Sequence, residues 1–371
     1  MKVRGPLSDV LVLSLEQAVA APYCSRLFAE SGARVIKVER AEGDFARHYD
    51  TVIHGQSSHF VWLNSGKESI VLDLSVDRDS RLFRAILKKA DVFIQNLKPG
   101  AIERLGFGYE TVRDINPHLV MCSISGYGAT GQYANMKAYD ALIQAETGLC
   151  SITGSPDKPA KVGASIVDIS TGLTAQAEIL KALLTTSRTG LGQHVEVSMF
   201  GVMAEWMAVP LAYYEYGDKI LKGTGLDHGQ IAPYGAFRVE DGEVFIVVQN
   251  HREWEQLCKV ALHRADLVED KLYDTNESRV ANKDALRAEI ELALTGLSRT
   301  EALDRLLKAG IACGNINDVS DLSTHPALTR KSVTSSSHEI NFVQRLGNCL
   351  DNAVVPELNQ HGESIRQEFS D

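Results

Sequence analysis

Nowhere in these 371 residues is there an unbroken apolar run of the roughly 18 residues that a membrane-crossing helix needs. Cysteine is sparse and scattered. Its six copies (Cys24, Cys122, Cys150, Cys258, Cys313 and Cys349) form no C-x-x-C pair, so neither a zinc site nor a disulfide framework is indicated. A reducing cytoplasm is the expected compartment. Basic residues are outnumbered, and the formal net charge of -10 speaks against nucleic acid as a partner. The opening Met-Lys-Val-Arg-Gly-Pro lacks the apolar stretch and small-residue cleavage site of a signal peptide. Low-complexity tracts and internal repeats are missing too. What the chain does have is a 44% hydrophobic content, ample for one large core or two smaller ones.

The first third alternates strands and helices. Asp9-Val-Leu-Val-Leu-Ser-Leu15 reads as a buried strand, 23–31 as a helix stopped by Gly32, and Arg34-Val-Ile-Lys-Val-Glu39 as the next strand. The pattern recurs with a helix marked by Leu82, Phe83, Ile86 and Leu87 and with strands at 91–95 and 119–124. Short connections of this kind predict parallel strands in a doubly wound, Rossmann-like α/β sheet. Leu173, Ala177, Leu180 and Leu184 then recur at helical spacing, followed by a strand at 193–199 and a helix to about 216. Residues 217–230 read as a linker. Beyond them, two strands flanking Asp241-Gly242 give a hairpin signal, and helices follow at 251–262 and 278–296. A further helix opens on the capping box Ser298-Arg-Thr-Glu301 and stops at Gly310. The expected organisation is a large α/β domain over 1–216, a small α+β domain over 231–323, and a turn-rich tail over 324–371 that returns to the large domain with one short helix.

Three motifs compete for the chemistry. Gly126-Tyr-Gly-Ala-Thr-Gly131 is a literal G-x-G-x-x-G after a strand, but no amphipathic helix follows at once, as a dinucleotide pyrophosphate would require. A loop that lets a ligand approach the backbone is the better reading. His48, His54 and His59, with Asp44 and Asp50 nearby, match no helix-face metal pattern, and no metal site is expected. The third is Asp168, a lone carboxylate between a small-residue stretch and a helical pattern, placed at a strand-to-helix junction. Position alone leaves two readings equally open: a helix N-cap, or a nucleophile toward an electrophile such as a thioester.

Read together, several segments resemble the family III CoA-transferases. They are Gly32-Ala-Arg-Val-Ile-Lys-Val-Glu-Arg40, Gly43-Asp44 with Arg47, Asn64 with Lys67-Glu-Ser-Ile-Val-Leu-Asp-Leu74, Asp91-Val-Phe-Ile-Gln-Asn-Leu-Lys-Pro-Gly100, Arg104-Leu-Gly-Phe107, Ile124 to Gly131, Tyr139-Asp140, Gly163 with Asp168, and Gly190-Leu-Gly-Gln. They run in the family's order, and His361-Gly-Glu near the end is family-like as well.

The resemblance implies that Asp168 is the nucleophile, passing through a mixed anhydride and an aspartyl-CoA thioester. It places Val19 and Ala20 near the thiol arm of coenzyme A, with Arg40 and Arg104 on its phosphates. Leu72, Asp73, Leu74 and Ser75, with Asn96, Leu97 and Lys98, would line the nucleotide, and Lys137, Ala138, Tyr139 and Asp140 would border the pantetheine. Arginine suits phosphate because its planar fork binds two oxygens at once. The CoA thioester is then a substrate, and no tightly bound cofactor is expected. An interlocked homodimer of ring-like chains is implied too.

The same fold hosts α-methylacyl-CoA racemases, which need histidine where this chain has Tyr139, a poor proton-transfer group at neutral pH. The racemase reading and a non-catalytic acyl-CoA-binding protein are the alternatives. The glycine run that covers the intermediate in some members is replaced here by Val248-Gln-Asn-His-Arg-Glu-Trp254, which leaves residues 249–252 as a candidate acceptor contact. The stretches 15–22, 43–50 and 58–62 look like members that handle itaconate, mesaconate or citramalate, often with succinyl-CoA as donor. Arg47, His48 and Arg252 are candidates to hold a second carboxylate.

Overall fold

Strands β1 (Leu11–Leu15), β2 (Arg34–Glu39), β3 (Glu68–Val71), β4 (Val92–Gln95), β5 (Val120–Ser125) and β6 (His194–Ser198) form one sheet in the order β3-β2-β1-β4-β5-β6. Every neighbouring pair is parallel. This comes from a computed structural model that describes residues 5–344 and 353–370. Residues 1–4, on which the signal-peptide reading partly rests, and Cys349 lie outside the described residues.

The near-continuous apolar strands have a simple cause. Successive side chains point to opposite faces, and both faces are covered. Leu13, Ile36 and Phe93 join a core with Phe83 and Phe107 on one face. Their neighbours Val12, Val35 and Val92 join Phe28, Ala175 and Ile179 on the other. That second face is covered by the helices Ala20–Glu30 and Ile166–Thr189, which pack on each other.

The long helix uses little of the face its spacing predicts, with Leu180 alone of those four packed partly against the core. Leu173 and Leu184 are exposed, whereas Val167, Ala175, Ile179 and Ala182 are buried. Close approach of the two helices selects small residues. A Cβ at Gly172 would stand 2.7 Å from the Ala20 carbonyl oxygen and 3.1 Å from Tyr23. Gly172→Ala is therefore expected to cost roughly 1–3 kcal/mol, read as a lower urea midpoint with an unchanged m-value.

The chain divides into two compact units. The first comprises 1–150, 161–221 and 329–371; the second comprises 151–160 and 222–328. The second unit thus takes in 151–160, which lies inside the expected 1–216 large domain, and 324–328, which lies inside the expected tail. It contains an antiparallel sheet of Tyr234–Val239, Gly242–Val247 and Ala312–Asn315. Trp254, Leu257, Ile290 and Leu306 lie in its core. The capping box at Ser298 and Glu301 is formed. The expected helix at 278–296 is instead two, Asn276–Ala281 and Lys283–Leu294, and that after β6 breaks at Met207 into Met199–Trp206 and Ala208–Gly217.

The tail holds more structure than its turn-rich sequence suggested. Arg330–Ser335 and His338–Val343 pair as an antiparallel hairpin, and Gly362–Phe369 is a helix. The tail also closes the free edge of β3. Ser69 N–H donates to His361 Nδ1, Val71 N–H donates to Asn359 Oδ1, and Arg34 pairs with both Glu68 and Glu368.

Candidate active site

In an open parallel sheet the ligand crevice lies beyond the carboxyl ends of the strands, where strand order reverses. Here that point falls between β1 and β4. Directly beyond it lies a cavity of about 390 Å³ lined by residues 17–20 after β1, 96–99 after β4 and 124–126 at the end of β5. Phe45, Tyr49, Ala134, residues 136–140, Met199 and Asp168 complete the lining.

Asp168 is not at a strand-to-helix junction, and it is not an N-cap. Residues 160–165 are irregular, the cap position is Ser165, and Asp168 is the third residue of the helix Ile166–Thr189. The capping is done from outside the helix. Asp140 Oδ1 accepts from Val167 N–H at 2.8 Å and from Asp168 N–H at 3.2 Å. Its other oxygen accepts from Gln144 Nε2 at 2.6 Å, and Gln144 Oε1 accepts from Val162 N–H. The first-turn amides that would otherwise favour the Asp168 anion are thus spent on Asp140. No donor among the described residues bonds the Asp168 carboxylate. Burial, with a smaller contribution from Asp140, pushes its pKa up from 3.8 to about 7. Tyr49 shares the cavity. Burial, and then the charges of Asp44 and Asp168, push its hydroxyl up to about 12, so it remains a donor.

The structure brings most of the sequence-predicted residues to this one cavity: Val19, Ala20, Asn96, Leu97, Lys98, Lys137, Ala138, Tyr139, Asp140 and Asp168. Arg40 lines an adjoining cleft that shares Gln17 and Leu97 with the cavity. The rest lie outside its lining. Leu72 is buried in the core, Leu74 packs partly against it, and Asp73 accepts from Ser75 N–H and Oγ–H in a turn at the end of β3. Arg104 is exposed and folds back toward Gly100, beside the 96–98 segment. These residues all follow the carboxyl ends of strands. At about 4.8 Å per strand, β3 to β5 spans roughly 19 Å, a length suited to an extended ligand.

Among the residues the sequence reading did not assign to this site, Gln17 and Ala18 flank a predicted pair and were within reach. Phe45 and Tyr49 sit in a stretch read only for its charged and polar residues, Arg47 and His48 among them. That arginine, Arg47, is not free. It grips Glu39 with two bonds of 2.7 and 2.8 Å, donates to the Pro356 carbonyl, and lies 3.7 Å over the Phe60 ring. Arg47 is therefore no candidate for a second carboxylate, and the cations that line the cavity are Lys98 and Lys137.

The glycine-rich loop after β5 is followed by no helix until Asp140, which removes the dinucleotide reading. Gly126 is needed for packing, since a Cβ there would stand 2.2 Å from Ala138 Cβ. The histidines assemble no ligand set: His54 stacks on His338, Asp50 accepts from Ser58, and His59 Nδ1 lies 3.8 Å from Asp50 Oδ2. Among the described residues no group of three or more His, Cys, Asp or Glu is placed to hold a metal ion. No helix among them is long and apolar enough to cross a membrane. In the second unit, the segment without glycines forms the start of the helix His251–Gln256, with Asn250 as its side-chain cap.

Comparison with known proteins agrees with this geometry. Residues 7–353 match the model of "CoA-transferase family III". An acetyl-CoA:oxalate CoA-transferase of Acetobacter aceti is 34% identical, over 100% of this chain and 97% of its own. A succinyl-CoA:mesaconate CoA-transferase of Haloarcula hispanica is 35% identical, over 87% and 83%. Among solved structures, a CAIB/BAIF family protein from Brucella suis superposes with a TM-score of 0.85 at 34% identity, over 99% and 100%.

Proposed function

The chain belongs to CoA-transferase family III, and from that premise we propose that it moves CoA from a donor acyl-CoA, succinyl-CoA first, to a short-chain dicarboxylic acid through Asp168. One observation carries this reading: a half-buried carboxylate without a hydrogen-bond partner at the cavity beyond the strand ends. The Asp168 oxygen attacks the thioester carbonyl carbon, the C–S bond breaks, and CoA leaves as the thiolate. That thiolate attacks the aspartyl carbonyl of the mixed anhydride. The donor acid departs and an aspartyl-CoA thioester remains. The acceptor carboxylate attacks this thioester, releasing the thiolate, which then takes the acceptor's acyl carbon and frees Asp168. No proton is consumed. The anhydride preserves the reactivity of the thioester, and the relay divides one difficult exchange into easier steps. Tyr49 and Tyr139 are placed to donate to oxygens that gain charge. Arg40 and Arg104 remain the proposed phosphate partners, with residues 72–75 and 96–98 along the nucleotide.

The dicarboxylate assignment rests on Lys137, the cavity-lining cation outside the nucleotide segment 96–98, and on the relatives whose names carry oxalate and mesaconate. Its test is a panel of itaconate, mesaconate, citramalate, oxalate and monocarboxylate controls with succinyl-CoA, read by mass spectrometry of the acyl-CoA products. Itaconate, mesaconate or citramalate is expected to exceed the monocarboxylates by at least about tenfold, as a paired cation at the second carboxylate would give. Equal turnover of the monocarboxylates would rule the assignment out.

The reading includes an interlocked homodimer. The helix Ala208–Gly217 buries none of its residues in the single chain, and Val209, Leu211, Tyr214 and Tyr216 stand exposed on it. Leu173 and Leu184 are exposed on the Asp168 helix as well. Apolar surface of this extent calls for a cover. Light scattering is expected to give twice the chain mass even at nanomolar dilution, and a monomer there would contradict it.

A further inference from the structure

Four charged side chains lie fully buried behind the cavity wall. Lys37 Nζ contacts Asp44 Oδ2 at 2.8 Å and Glu16 Oε1 at 3.5 Å, and Lys67 Nζ contacts the same Glu16 oxygen at 2.7 Å. All four are at 0% side-chain exposure. Buried ion pairs are a weak source of stability, so their retention asks for another reason.

The cluster grips one short segment at both ends. Asp44 Oδ1 accepts from Ala18 N–H at 3.1 Å, and Lys67 Nζ donates to the Pro22 carbonyl at 3.0 Å. Between these anchors the chain turns into the helix Ala20–Glu30. Ala18 does so at φ 66°, the left-handed region that a non-glycine residue adopts only when its surroundings dictate it. Ala18, Val19 and Ala20 line the Asp168 cavity, and Ile169, the neighbour of Asp168, packs against the cluster of Val19, Tyr23, Leu27 and Leu63.

The geometry points to Lys37 and Asp44, backed by Glu16 and Lys67, as positioning residues that hold Ala18 in its left-handed conformation and so fix the cavity wall against Asp168. They touch no reacting atom. This inference rests on Asp168 being the nucleophile.

The test measures single-turnover formation of the CoA adduct on the Asp168 peptide, by quench and mass spectrometry, with succinyl-CoA and no acceptor. Lys37→Met/Asp44→Ala removes one charge of each sign and leaves the Glu16–Lys67 pair intact. Adduct formation is expected to slow on the order of 100-fold, the scale of a misplaced reactive group, while the Kd for succinyl-CoA changes by less than about threefold. Adding Ala18→Gly, which takes the left-handed conformation freely, is expected to restore roughly tenfold. A merely structural cluster would lower Tm without slowing the folded enzyme, and glycine would rescue nothing; either result overturns the proposal. Should the double variant fail to fold, Ala18→Val asks the same question with the cluster whole: slowing supports the proposal, and a parental rate overturns it. A parent that forms no adduct removes the Asp168 reading and this one with it, whereas a parental adduct with unslowed variants removes only this one.

Discussion

Asp168→Ala is expected to lower kcat by about 10⁴-fold or more, the scale seen when a covalent nucleophile is deleted, while CoA thioester binding stays within a few fold. The asymmetry follows from the layout of the site. Asp168 lines the cavity beyond β1, β4 and β5, whereas Arg40, Arg104 and residues 72–75, proposed for the phosphates and nucleotide, lie outside that lining. Removing one carboxylate deletes the anhydride route without touching those contacts. It also removes a half-buried negative charge, so binding of an anionic ligand is not expected to weaken. Isothermal titration beside steady-state kinetics separates the two quantities. Persistent transfer in the variant would show that another group carries the acyl moiety, and loss of binding in parallel would show that Asp168 serves the site's architecture.

The second large effect is on pH. A nucleophilic carboxylate must be ionised, and burial has moved the Asp168 pKa from 3.8 to about 7. Below that point kcat/KM is expected to fall about tenfold per pH unit, an acidic limb far above that of an ordinary aspartate. Asp140→Asn keeps an oxygen for the helix amides and removes the smaller of the two causes, so the limb shifts toward lower pH. Stability follows the same equilibrium with a definite sign. The folded state holds the Asp168 proton more tightly than the unfolded chain does. Its stabilising contribution is therefore complete below about pH 3.8 and is lost as pH rises through about 7. At about 1.4 kcal/mol per unit, the loss reaches at most about 4 kcal/mol. Asp168→Asn should accordingly be more stable than the parent at pH 8 and equal to it near pH 3, in urea titrations at both values. Parallel curves would mean that the carboxylate titrates normally.

Where the sequence could be read and where it could not has a physical basis. The parallel sheet announced itself because strands covered on both faces are apolar along their length, as in Val92–Gln95. Asp168 stood out as a lone acid, but its place inside the first helical turn did not, because its cap is supplied by Asp140, 28 residues earlier. Large residues on the Asp168 helix were assigned inward by spacing; tight packing on Ala20 and Tyr23 reserved that face for small ones. Lys37 and Lys67 look like surface residues in any pattern of polarity, and only the fold shows Glu16 and Asp44 waiting for them. The tail hairpin was hidden by serines, threonines and turn signals, which carry little apolar alternation.

The closing of β3 by the tail has a consequence for how the protein is made. Ser69 and Val71 receive their partners from Asn359 and His361, almost 300 residues later. On the ribosome, the five other strands can assemble while this edge still offers unpaired backbone groups to any neighbouring nascent chain. The vulnerable interval ends only when residues 353–370 have cleared the exit tunnel. A stalled or clipped product lacking them would carry every residue that lines the Asp168 cavity and yet be the form most prone to aggregate.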